Sequence, residues 1–80
     1  MSMISYAQAK QLTLARLRTV MNAMPVSERG MPRYVLGDPV TGVMKSLSIL
    51  DLINEVQRDT NIGKNYVYSE AKQLGYAIAG

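Results

Sequence analysis

The sequence predicts a small single α+β domain, spanning residues 1–80 in the order helix, β-hairpin, helix, helix and short C-terminal strand. Three observations predict it. Apolar residues recur at helical spacing from Tyr6 to Met24. Two short apolar stretches flank Gly37-Asp38-Pro39-Val40-Thr41-Gly42, where Pro presets φ and Gly supplies a positive φ for a turn. Two further amphipathic patterns, over 49–59 and 64–74, meet at Asp59-Thr60-Asn61-Ile62-Gly63-Lys64.

The first helix is expected over 6–24. Ser5-Tyr6-Ala7-Gln8 has the form of a capping box, with the Ser hydroxyl accepting from the third helical residue and Gln8 reaching back. At 100° per residue Tyr6, Leu14, Leu17, Val20, Met21 and Met24 share the face expected to be buried. Lys10 falls inside that stripe and is expected to snorkel outward, while Leu12 falls outside it and reads as a contact residue. Pro25 ends the helix by biasing its predecessor out of the α region. Residues 25–33, with two Pro and one Gly, form a loop.

A hairpin over 33–46 follows. Two strands alone are marginal in water, so the hairpin requires a further strand or a helix against one face. Ser48 caps the second helix, with Asp51 favourably placed in its first turn. Ile49, Leu50, Leu52, Ile53 and Val56 form its expected buried face, and Asp51, Glu55 and Asp59 line the other. In the third helix Val67, Ala71 and Leu74 make the buried edge, and Gly75 supplies a left-handed C-terminal residue. The strand at 76–78 is expected beside the hairpin.

Composition excludes most chemistry. The chain has no Cys and no His, which removes disulfides, thiol redox steps, zinc fingers and imidazole bases. The remaining carboxylates, Tyr and Lys show no catalytic pairing, so the expectation is a protein that is not an enzyme and carries no cofactor and no metal. The row Asp51, Glu55, Asp59 diverges along one helix face and has no calcium-loop pattern. The turn at 37–42 lacks the phosphate-loop signature. With no Phe and no Trp, Met21, Met24, Met31 and Met44 are expected to fill a thin core. No apolar run approaches the roughly 18 residues of a membrane span, and no secretory signal is visible. A location in the cytoplasm or within a macromolecular assembly is expected.

The net charge is +3 and unevenly spread. Residues 1–24 carry Lys10, Arg16 and Arg18 without an acid, whereas residues 48–80 set three bases, Arg58, Lys64 and Lys72, against Asp51, Glu55, Asp59 and Glu70. Two functions follow. The first is an interaction module docking into a larger assembly or onto its own copy, with Leu12, Arg16 and Arg18 of one molecule meeting Asp51, Glu55 and Asp59 of another. The second is DNA binding. The spacing of Val56, Thr60, Ile62 and Val67 resembles helix-turn-helix patterns over about 25 residues, and departs from them at Gln57 and Glu70. Lys64, Asn65, Tyr68, Ser69, Lys72 and Gln73 then form an outward face able to bond base edges and phosphates. Neither reading implies a small-molecule substrate.

Overall fold

Serine and threonine caps set every helix start. In the computed structural model, which describes residues 2–79, the Ser5 hydroxyl accepts from the Gln8 N–H and the Gln8 side chain accepts from the Ser5 N–H, closing the capping box of α1 (Tyr6–Ala23). Ser48 and Asp51 do the same for α2 (Ile49–Gln57), and Thr60 caps α3 (Asn61–Gln73). The strands are β1 (Ser2–Ser5), β2 (Tyr34–Gly37), β3 (Met44–Leu47) and β4 (Tyr76–Ala79), with one 3₁₀ turn at Val26–Glu28. The fold is mixed α+β.

α1 packs against both α2 and α3, and α2 against α3. Ile49, Leu52, Val56 and Val67 are the fully buried centre, with Leu14, Leu17, Ile53 and Ile62 around them. The hairpin turns Tyr34, Leu36 and Leu47 toward this cluster, so its inner face is closed by the helical core. Among the described residues no helix is long and apolar enough to cross a membrane.

The C-terminal strand lies elsewhere than the sequence predicts. β4 pairs in parallel with β1, in the register Ser2↔Tyr76 to Ser5↔Ala79, and not with the hairpin, whose two strands pair only with each other. Gly75, at φ 84°, reverses the chain at the end of α3 and returns it beside the N-terminus. β1 had no signature of its own, because in four residues only Ile4 turns inward.

Several expected core residues are exposed. The buried stripe of α1 comprises Ala9, Thr13, Leu14 and Leu17 and is continued by its C-cap Met24, so Leu14, Leu17 and Met24 are buried as expected while Val20 is exposed. Leu50 is exposed, roughly opposite the buried Leu52 around α2, and Leu74 is the exposed C-cap of α3. Met31 sits in the loop and Met44 on the outer face of the hairpin, both exposed, so of the four methionines only Met24 and Met21 pack with the core.

The joint between α2 and α3 is shorter than expected and lies earlier. Arg58 closes α2, Asp59 takes a left-handed φ of 54°, and Thr60 opens α3. Gly63 is therefore not the break. It lies buried in the first turn of α3, packed on the Glu55 carbonyl of α2.

Candidate functional site

The exposed face of α3 follows from helical spacing. Ile62, Gly63, Val67 and Ala71 are buried, which leaves Asn61, Lys64, Asn65, Tyr68 and Lys72 in one outward stripe, flanked by Ser69 and Gln73. All seven side chains are exposed. The Thr60 cap fixes where the stripe begins: its hydroxyl accepts from the Gly63 N–H at 3.0 Å and donates to Glu55 Oε1 at 2.6 Å.

The acidic groups near this face are engaged within the chain. Glu70, which departs from the usual apolar pattern, is drawn off α3 onto α1, where its Oε1 accepts from Arg16 Nε at 3.1 Å. Its side chain is only 12% exposed. Asp59 accepts from Lys10 Nζ at 3.0 Å through one oxygen and from the Tyr6 hydroxyl at 2.8 Å through the other. Lys10 also donates to the Gln57 carbonyl at 3.0 Å. Lys10 thus does not snorkel outward; it clamps α1 onto the joint. Tyr6 meets Tyr68 edge-on, with ring centroids 5.8 Å apart, and so braces the outward face from the side.

The two acids of α2 have local work. Asp51 accepts from the Ser48 N–H in the capping box of α2, and Glu55 accepts from Thr60. Asp51, Glu55 and Asp59 therefore do not form a free row, and Arg16 is already paired. Arg18 and Leu12 are exposed on α1, where Leu12 lines a shallow apolar groove of about 540 Å³ with Ile4, Ala7, Gln8, Gln11 and Tyr76. Among the described residues no three acidic, Cys or His side chains converge as a metal site.

The sequence places Tyr6 on the buried face, Lys10 as a snorkelling residue and Asn61 in the joint, and gives none of the three a place at this site. Asn61 was legible in principle, since Thr60 is one of the preferred N-cap residue types and, as cap, starts the helix at Asn61 with Gly63 as the third helical residue. The Tyr6 and Lys10 contacts to Asp59 span about 50 positions and leave no local trace.

The Tyr6–Asp59–Lys10 group makes stability depend on pH from both sides. The Lys10 ammonium first, and the Tyr6 hydroxyl second, hold Asp59 below its ordinary value of 3.8. A depressed carboxyl adds stability above its unfolded value, and that stability is lost as pH falls through the lower folded value. Desolvation first, and the Asp59 hydrogen bond second, raise Tyr6 well above its ordinary 10.0. That contribution is complete below pH 10 and fades as pH rises beyond it. Asp59→Asn is expected to flatten the acid limb of the stability profile below about pH 4 and to bring the Tyr6 ultraviolet titration back toward its ordinary range. An unchanged Tyr6 titration in that variant would disprove the contact.

In comparisons with family models, with curated proteins and with solved structures, nothing matches this chain.

Proposed function

We propose that this protein is a non-enzymatic helix-turn-helix module that binds duplex nucleic acid, with α3 seated in the major groove. One observation carries the reading. The outward face of α3 bears Lys64, Lys72 and a set of amides and hydroxyls, while Asp59 and Glu70 are held in ion pairs with Lys10 and Arg16, and the Asp38 carboxylate accepts from the backbone of its own turn. The face is thereby cationic although residues 48–80 carry four acids against three bases.

The chemistry suits the groove. A B-form major groove about 12 Å wide admits one helix, and Asn or Gln bonds adenine bidentately, which gives roles to Asn65 and Gln73. Lys64 and Lys72 supply the phosphate or guanine contacts, and Tyr68 and Ser69 bond the backbone. The Thr60 cap and the Lys10 clamp fix the angle at which α3 is presented.

The test is a fluorescence-anisotropy titration of a mixed-sequence duplex at several salt concentrations. Wild-type protein is expected to bind with micromolar affinity and a negative salt slope, and Lys64→Ala/Lys72→Ala to lower that slope by about two. No salt-sensitive binding at micromolar protein would overturn the reading.

A second reading is an interaction module for a protein partner or for its own copy. The groove at Leu12 favours it, since exposed apolar surface of this kind marks contact sites. Head-to-tail pairing of Arg16 and Arg18 with Asp51, Glu55 and Asp59 has less support, because Arg16 and all three acids are bonded within the chain. A wild-type protein silent toward duplex leaves this second reading standing.

A further inference from the structure

We infer that two copies of this chain pair through the outer edge of β2, antiparallel across a two-fold axis at Leu36, and so join their hairpins into one four-stranded sheet. The contact uses neither the outward face of α3 nor the groove at Leu12, and it is independent of the duplex-binding reading. Backbone pairing leaves the edge open. β2 and β3 pair only with each other, and β3 is the strand that meets α2. The Asp38 N–H donates to the Val43 carbonyl at 2.9 Å, and backbone groups along an antiparallel strand alternate between its two edges. Leu36 and Asp38 therefore direct theirs toward β3, while Val35 and Gly37 direct theirs outward, where no backbone bond within the described residues takes them up.

The side chains on this edge suit another strand. Natural edge strands are blunted by an inserted charge or proline. β3 has Lys45 within it, whereas β2 carries neither charge nor proline from Tyr34 to Gly37. Tyr34 and Leu36 pack on the core, so Val35 faces away from it and is 67% exposed. On that outer face Gly37 has no side chain, and the exposed Met44 covers it, with the sulfur 2.9 Å from where a Cβ would stand. An open, apolar edge of this kind is a template for pairing with a further chain.

Charge selects a second copy as the occupant. β2 is bracketed by Arg33 before it and Asp38 after it, and the Asp38 carboxylate is held at the strand end by the N–H groups of Val40 at 2.8 Å and Thr41 at 3.1 Å. Antiparallel pairing of two β2 strands brings Arg33 of each copy beside Asp38 of the other, whereas parallel pairing would set like charges together. The edge is thus self-complementary, as an isologous two-fold contact requires. With Leu36 opposite Leu36, Val35 of one copy lies opposite Gly37 of the other, so the outward backbone groups pair and Val35 rests on the second copy's Met44. β1 and β4 also have outer edges, but neither carries a charge to choose a direction. Four residues a side make a contact well under about 1,200 Å², the range of weak and transient association.

The experiment is sedimentation velocity on the full chain, without nucleic acid, from about 5 μM to about 1 mM protein. Wild type is expected to pass from monomer to dimer over that range. Val35→Lys, which adds the charge that blunts natural edges, is expected to weaken association by about tenfold or more. Arg33→Glu is expected to weaken it severalfold at low salt, with the deficit shrinking at about 0.5 M salt. Both positions are exposed, so the thermal melts of the dilute variants should match wild type. Leu12→Lys, on the α1 groove, is expected to associate as wild type does. A wild-type protein that stays monomeric throughout, or a Val35→Lys variant that dimerises as tightly as wild type, overturns the contact. Association lost in Leu12→Lys alone would put the interface on α1 and overturn it as well. An Arg33→Glu variant equal to wild type at every salt concentration overturns the antiparallel order.

Discussion

Gly63→Ala is expected to lower folding stability by about 3 kcal/mol or more, against the usual sign of this change. Inside a helix, alanine normally outperforms glycine by roughly 1 kcal/mol because it restricts the unfolded chain. Here the added Cβ would overlap the Glu55 carbonyl and come within 2.8 Å of the Val56 nitrogen. Those atoms are backbone in α2 and cannot rotate away, so the two helices must separate. Separation would also strain the Thr60 hydrogen bonds to Glu55 and to Gly63. Urea unfolding is the measurement, with a lower midpoint and an unchanged slope expected. Gly30, which has open space around it, provides the control, and Gly30→Ala should change little. A Gly63→Ala variant as stable as wild type would mean that α2 and α3 do not approach so closely.

The same glycine shows where the sequence was legible and where it was not. Caps, turns and period are local, so α1, the hairpin, α2 and the left-handed Gly75 fall close to their expected bounds. Gly63 invited a reading as a chain break because glycine serves both to turn a backbone and to let two backbones touch. Only tertiary contact separates those uses. The true break rests on Asp59, a residue type that tolerates φ > 0 through its short polar side chain, and its sequence signal was masked by the stronger glycine nearby.

Long-range pairing explains the other differences. β1 and β4 come together from opposite ends of the chain, and each is four residues long, too short for alternation to show. Lys10 at a core-facing position and Glu70 at an apolar one look like violations of pattern. In the fold each meets an opposite charge from another element. Surface ion pairs of this kind contribute only about 0–1 kcal/mol of stability, and their larger effect is on the sign of the surface. Without the Arg16 pair Glu70 would place a free carboxylate beside Gln73, one helical turn on. The outward face of α3 was readable from period alone, but its charge was not.

Leu52→Ala is expected to cost about 2–5 kcal/mol, through lost transfer energy and the cavity left behind. Leu52 is fully buried among the three helices, where neighbours held by caps at Ser5, Ser48 and Thr60 have little freedom to collapse inward. A domain of this size has a total stability of roughly 4–12 kcal/mol, so one side chain carries a large share. The melting temperature should fall by about 10 to 30 °C. Leu52 lies on α2, away from the outward stripe of α3, so below its own transition the variant should keep the duplex affinity and salt slope of wild type. The contrast with Lys64→Ala/Lys72→Ala, expected to lower the salt slope by about two and keep the melt, separates the scaffold from the face it presents. A Leu52→Ala protein that melts within a few degrees of wild type would show that α2 is not the centre of the core, and the orientation of α3 would then have no rigid support.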